Sequence, residues 1–229
     1  MKIILLMIPL LVTTLGSLEI DYEERIPYIQ KNNGSIKGLV ATPALNALTR
    51  SGIEYELKEK PSKRHLHEIK SNQKLICALG WFKTSQRETF AKFSKVLYQD
   101  QPMGIVIRQQ EKPIFENKKL EYILKIPKRL LTKASYSYGN LVDNKIKEYK
   151  TRTTEVYTDN QKMLELIMKK RADFMFMAYE EASVLLEQSK YESLEFIPVH
   201  DMPQGNKRYM MCSQKVDDEI LKIINQYIE

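Results

Sequence analysis

The sequence predicts an α/β protein whose strands fill two sheets rather than one. Apolar runs of strand length alternate with amphipathic helical stretches from residue 18 to residue 227, the alternation that lays helices against a largely parallel sheet. The strands counted this way outnumber those of one sheet of ordinary width. Composition agrees: 229 residues, 43% hydrophobic and 28% charged, make a globular chain long enough to bury real cores.

The first sixteen residues stand apart. Lys2 precedes an apolar run over residues 3–12, and Thr14 and Gly16 supply small side chains at the −3 and −1 positions of a secretory cleavage site, so residues 1–16 read as a signal peptide. The run is too short for a membrane span and Pro9 interrupts it. No Cys lies near the cut, which excludes lipid attachment by the lipobox route. A soluble protein exported to the periplasm is expected.

Residues 18–22 read as the first strand, and Asn33-Gly34 beyond Pro27-Tyr28 marks a tight turn. A helix is expected over 43–51, with Thr42 as N-cap and Gly52 as its stop. Residues 53–57 alternate as a half-buried strand, 61–71 form a second helix, and the apolar run 75–79 is a third strand that breaks at Gly80. The loop after Gly80 holds Trp81, Phe82, Lys83 and Thr84, and a helix over 85–92 follows with Thr84 as its cap. A second unit repeats the alternation. Its strands are expected at 103–108, 130–133, 153–157, 174–178 and 194–199, and its helices at 115–124, 139–149, 159–170 and from 179 to 188, the third opened by a Thr158–Gln161 capping box. A strand over 209–212 and a helix over 217–227 close the chain.

The stretch 75–98 carries the most functional information. Free amides at a helix start favour anions, and Arg87 one turn in offers a two-pronged donor for a carboxylate. A small anionic ligand suits this arrangement. Nucleic acid does not, because the net charge of +7 comes from 36 basic residues set against 29 acidic ones, with the basic clusters small and scattered. Cys77 and Cys212 either pair, as exported cysteines do, or serve as two small buried apolar residues. His65 and His67 lie two apart on a helix, do not share a face and have no ligand partners at metal spacing, so neither a metal nor a cofactor is expected.

Several motifs together resemble the periplasmic solute-binding proteins of ABC uptake systems, in particular extracellular solute-binding family 3 of the polar amino acid type. Gly80, Thr84, Arg87, Phe93-Ser94 and Tyr98 fall at that family's spacings. The run from Asn33 to Gly38 resembles its Gly-x-x-x-Gly segment before the first helix, Arg171-Ala172-Asp173 its acidic step before a strand, and Tyr209 to Cys212 its late strand. The similarity spans nearly the whole chain after residue 17.

The resemblance implies a type II periplasmic-binding-protein-like fold: two mixed sheets flanked by helices, in two lobes joined by two crossover hinge strands. Lobe 1 would take residues 18–102 and 201–229, and lobe 2 residues 103–200. A monomer would close by hinge motion on a small amino-acid-like or other small carboxylate ligand and deliver it to the membrane permease of an ABC transporter. Arg87 would clamp the carboxylate, Gly80 and Thr84 would offer strand-end and loop groups, and Ser137 would face them from lobe 2. Trp81, Tyr22 and Tyr28 are candidates for lining the cleft, with core packing equally open for each.

The departures from the family shape the expectation. Phe82 stands where many members have a small hydroxyl residue, Arg25 where many stack an aromatic ring on the ligand, and Ala178 where an Asp commonly receives the ligand's ammonium group. Glu180 substitutes for that Asp only if the backbone displaces it. The same fold also hosts dehydratase-like enzymes and ligand-presenting sensor partners; for an enzyme the available acid–base groups are Glu24, Glu180 and His200, none in a catalytic motif. A binding protein rather than an enzyme is therefore expected.

Overall fold

The computed structural model describes residues 17–229, so the signal-peptide reading of residues 1–16 lies outside the described residues. Strand β1 (Leu18–Tyr22) is followed by the hairpin β2 (Gln30–Asn32) and β3 (Ser35–Lys37). Its turn residues Asn33 and Gly34 both have positive φ, 44° and 80°, which is what the Asn-Gly step supplies. Helix α1 (Ala41–Ser51) starts earlier than the sequence suggests. Val40 is its N-cap, and the hydroxyl of Thr42 accepts from the amide of Gly38 instead of capping the helix. Gly52, at φ 70°, ends it in the left-handed conformation.

Strand β4 (Tyr55–Glu59), helix α2 (Ser62–Ser71) and strand β5 (Ile76–Phe82) come next. The expected break at Gly80 does not occur: β5 runs on through Trp81 and Phe82. Gly80 takes φ +80° within the strand, and its neighbour strand shifts register between Tyr209 and Met210 at the same level. Glycine thus serves a bulge here, not a strand end. Helix α3 (Ser85–Glu88) is a single turn rather than the expected 85–92, because β6 (Ala91–Phe93) is drawn into the sheet; β7 (Tyr98–Gln99) follows. Tertiary pairing overrides the local helical pattern there.

The chain then crosses to a second sheet. Strand β8 (Gly104–Arg108) precedes two short helices, α4 (Lys112–Phe115) and α5 (Leu120–Lys125), where one helix was expected; Asn117, at φ 58°, separates them. Strand β9 (Leu130–Lys133), helix α6 (Asn140–Glu148), strand β10 (Thr153–Val156) and helix α7 (Asn160–Met168) follow. Asp159, not Thr158, caps α7, its carboxylate accepting from the amide of Lys162. Strand β11 (Phe174–Met177), helix α8 (Tyr179–Leu185) and strand β12 (Leu194–Pro198) complete this lobe. The chain returns to the first sheet as β13 (Lys207–Ser213) and ends with α9 (Asp218–Gln226).

The first sheet has the order β4-β1-β5-β13-β6, with β7 also paired to β13, and the second has β10-β9-β11-β8-β12. Both are mixed. β1 is parallel to β4 and β5, β13 is antiparallel to β5, and β8 is antiparallel to β11 and β12. In the second sheet Ile105, Ile107, Phe174 and Phe176 enter one core while Val106, Met175 and Met177 enter the other. Both faces are covered, which is why these strands read as unbroken apolar runs. In the first sheet Cys77 and Cys212, opposite one another on β5 and β13, are joined by a disulfide.

Candidate functional site

The C-terminal end of β5, the segment after β1 and the turn after β9 converge on a cavity between the lobes. Glu23, Arg25, Tyr28, His65, Gly80, Trp81, Phe82, Arg87 and Arg208 line it from lobe 1, and Tyr136 and Ser137 from lobe 2. The space is about 60 Å³, several times the roughly 10–15 Å³ that one water needs. A small ligand fits; a bulky one requires the lobes to part.

Arg87 is placed by the cap that the sequence suggests. The Thr84 hydroxyl accepts from the Arg87 amide at 3.3 Å, and this turn aims the side chain back at the strand end. The guanidinium donates to the Phe82 carbonyl at 2.8 Å and, across the cleft, to the Ser135 carbonyl at 3.4 Å. It lies 4.6 Å from the centre of the Trp81 ring. Arg87 is only 8% exposed, and no carboxylate among the described residues forms an ion pair with it. Burial lowers its pKa to about 10, and the more distant Asp143 and Tyr136 offset this only in part. A desolvated cation of this kind is stabilised by an anion from outside. Because α3 is one turn long, Arg87 rather than a helix N-terminus supplies the attraction.

The other two arginines are already paired. Arg208 makes a two-pronged bond to Asp100, both contacts 2.7 Å, and its guanidinium lies 3.6 Å from the centre of the Tyr28 ring. Arg25 reaches across the cleft to Glu181, with the closest contact at 2.6 Å, and lies between the rings of Tyr28 and Tyr136 at 5.5 and 5.2 Å. Burial opposes the Arg25 charge, but Glu181 together with Tyr136 and Tyr28 more than offsets it and raises the pKa. A second interlobe pair joins Lys133 to Glu23 at 3.4 Å. Burial would raise the Glu23 carboxyl, yet Lys133 and the groups of Ser62 hold it below its ordinary value.

The acids of α8 are engaged elsewhere. Glu180 accepts from the hydroxyls of Tyr98 and Tyr28 at 2.9 and 3.4 Å and from the Gln101 amide at 2.6 Å, so it ties α8 to the crossover. Glu181 accepts from Asn160 as well as Arg25. Ala178, the N-cap of α8, brings no acid. Glu180 therefore does not take the place of the missing Asp.

Of the sequence-derived candidates, Gly80, Trp81, Tyr28, Arg87 and Ser137 reach the cavity together. Trp81 does both things left open for it: one side packs with Ile69, Ile76 and Met211, the other faces the cavity. Thr84 lines a wider groove beside the cavity, together with Arg87 and Ser135, and acts chiefly as the cap. The Ser137 hydroxyl donates to Asp143 at 2.5 Å and accepts from the Gly139 amide, fixing the turn before α6. Tyr22 is not brought to the cavity; it packs, half-buried, against the first lobe's core. Sequence reasoning missed His65, Glu23 and Arg208, and treated Arg25 only as a departure. A basic residue directly before an apolar strand segment, Arg208 before Tyr209 and Met210, was the available signal for one of them.

One acidic cluster lies outside the cavity. The carboxylates of Glu19, Asp21 and Glu68 come together, and the Lys60 ammonium forms ion pairs with Glu19, with Glu68 at 2.6 Å and with Asp21 at 3.0 Å. Lys60 already takes the place a cation would hold. Burial nonetheless pushes Asp21 up to about 6, with Lys60 offsetting only part of the effect.

No protein-family model matches the chain, and no curated protein does. Solved structures do match. An ancestral arginine-binding protein bound to arginine is 17% identical with a TM-score of 0.72, the match covering 93% of this chain and 91% of that one. The GluR0 ligand-binding core in complex with L-glutamate is 14% identical with a TM-score of 0.74, covering 94% and 91%. The substrate-binding protein of an amino acid ABC transporter is 14% identical with a TM-score of 0.70, covering 93% and 92%. All three are binding proteins or ligand-binding domains. These likenesses establish the architecture expected from the sequence: two lobes, each a mixed sheet flanked by helices, in the type II periplasmic-binding-protein-like arrangement.

Proposed function

We propose that this chain is an exported solute-binding protein of the family 3 type, which closes its two lobes on a small carboxylate-bearing ligand and delivers it to the permease of an ABC transporter. The observation that carries the reading is Arg87, a buried cation in the interlobe cavity with no carboxylate paired to it among the described residues. Arg25 and Arg208 have acidic partners of their own, so the unneutralised charge is localised at one place. A ligand carboxylate there gains charge-assisted bonds in a desolvated setting.

The surroundings support binding rather than chemistry. The acids nearest the cavity are committed to structural bonds, and among the described residues Glu180 serves the crossover rather than a proton transfer. The disulfide is consistent with an oxidising compartment. No helix of the described residues is long and apolar enough to cross a membrane. A thermal-shift screen of small carboxylic acids tests the reading: at least one should raise the melting temperature in a concentration-dependent way. If none does, at concentrations up to tens of millimolar, the carboxylate-binding assignment fails.

A further inference from the structure

His65 is the unexplained polar group of the cavity. It lies on α2, is 1% exposed, and lines the same space as Arg87. Neither ring nitrogen has a hydrogen-bond partner. Both residues neighbour the Trp81 indole: the His65 ring centre is 6.2 Å from that of Trp81, and the Arg87 guanidinium carbon lies 4.6 Å from it. A buried imidazole left unsatisfied costs stability, and such groups in native proteins call for an explanation. Among the described residues no group meets either nitrogen with full hydrogen-bond geometry; the carbonyls of Lys60 and Tyr22 face the ring without completing such a bond. A partner can enter through the cavity that the ring lines, as water in the empty protein or as a polar group of a ligand.

The cavity also restricts what that ligand can carry. An ammonium group needs an unengaged carboxylate, and none is present among the described residues that line the space. Glu23 already accepts from the Ser62 amide and from Lys133, Glu180 and Glu181 are taken by Tyr98, Gln101, Arg25 and Asn160, and position 178 is an alanine. Arg25 and Arg208 are neutralised by Glu181 and Asp100, and Glu23 by Lys133, so the charge left in the lining is the positive one of Arg87. Against this, His65 offers one neutral donor and one neutral acceptor. Burial holds it uncharged by lowering its pKa to about 4, an effect that Glu23 and the carbonyls of Lys60 and Tyr22 offset only in part.

Building on the carboxylate reading of Arg87, we infer that the ligand is a small carboxylic acid whose second polar group is uncharged, a hydroxyl or a carbonyl, and that His65 is the specificity-determining residue that reads this group. Arg87 takes the carboxylate, the Trp81 indole lies beside the short carbon chain, and His65 bonds the hydroxyl or oxo oxygen. An α-amino acid of the same length would bring an ammonium group into a basic lining. A plain acid would leave His65 unsatisfied.

The test is a calorimetric titration of the full secreted form with lactate, pyruvate, propionate and alanine, repeated on His65→Leu. Lactate or pyruvate should bind at least tenfold more tightly than propionate and alanine. His65→Leu should bring lactate and pyruvate down to the propionate level while leaving propionate binding within about twofold. A loss of equal size for all four acids would mean that His65 acts only structurally, and would overturn the inference. Alanine binding tightest would overturn it too, while leaving the carboxylate reading intact. Failure of all four to bind the wild type would overturn the inference, while the carboxylate reading falls only if the wider thermal-shift screen of carboxylic acids is also negative. Should His65→Leu not fold, His65→Phe, closer to the imidazole in shape, takes its place with the same expected loss.

Discussion

The guanidinium of Arg25 in the first lobe and the carboxylate of Glu181 in the second form an ion pair across the cleft, with Nη2 and Oε2 2.6 Å apart. Arg25 is held between the rings of Tyr28 and Tyr136, and Glu181 has Asn160 as a second donor. Lys133 with Glu23, and Lys63 over the Tyr157 ring at 4.8 Å, join the lobes at neighbouring points. The two lobes are thus held together by the protein's own side chains.

Opening should follow when this latch is cut. A largely buried, charge-assisted pair is worth about 1–3 kcal/mol between two states, which shifts the open-to-closed ratio roughly 5- to 150-fold. Arg25→Ala and Glu181→Gln should each enlarge the radius of gyration of the ligand-free protein in small-angle X-ray scattering. Scattering curves identical to the wild type would show that the pair does not govern closure.

Arg87 sets stability against binding. Its charge is desolvated without an ion-pair partner, so its pKa lies at about 10 rather than at the ordinary arginine value. Arg87→Met keeps the side-chain volume over Trp81 and removes the charge. The variant should melt at or above the wild-type temperature in the absence of ligand. It should also lose at least about thirtyfold in affinity for whichever small carboxylic acid stabilises the wild type, the lower end of about 2–5 kcal/mol for truncating a buried charge contact. A variant that melts well below wild type would show that the guanidinium's bonds to the Phe82 and Ser135 carbonyls outweigh its desolvation.

The fold was legible because its strands are buried on both faces. Phe174 to Met177 and Gly104 to Arg108 are fully buried, and runs of that kind announce themselves without knowledge of their neighbours. Where an element owes its state to distant pairing, the sequence misled: residues 91 and 92 look helical in isolation and join a strand because β13 lies beside them. Arg87 was legible through Thr84, a local cap that places it. His65 and Arg208 were not, because a buried imidazole and a buried guanidinium each look like surface residues until the opposing element is known. Arg208 is explained only by Asp100, 108 residues away.

Acidification should expose the burial of His65. The folded pKa is lowered to about 4, while the unfolded chain has the ordinary value near 6.5. Between these values the unfolded state takes up a proton that the folded state refuses, so stability falls as pH drops from about 6.5 toward 4. The shift corresponds to about 2–3 kcal/mol at the lower end of the window. Asp21 titrates in an overlapping window with the opposite sign, since its folded pKa is raised to about 6, and the overall pH profile mixes the two. The difference between wild type and His65→Leu isolates the histidine. Urea titrations at pH 7 and pH 4.5 should show the wild type losing more stability than the variant; equal losses would rule out a neutral buried imidazole.

The disulfide supplies the last expectation. Cys77 and Cys212 are 135 residues apart, and their bond ties β5, the strand that ends at the cavity, to β13, the strand that returns from the second lobe. Closing so long a loop in the unfolded chain removes much of its freedom, and native disulfides of this kind contribute about 2–5 kcal/mol. Both sulfurs lie at fully buried positions, so replacing the pair by alanines costs some packing as well. The Cys77→Ala/Cys212→Ala variant should therefore melt several degrees lower, and reductant should lower the wild-type melting temperature while leaving the variant's unchanged. A wild type indifferent to reductant would mean that the two thiols do not pair in solution. Because the bond lies within the first sheet and spans no cleft, the variant should retain the wild type's ligand-dependent stabilisation, measured as the rise in melting temperature at a saturating concentration of the same acid.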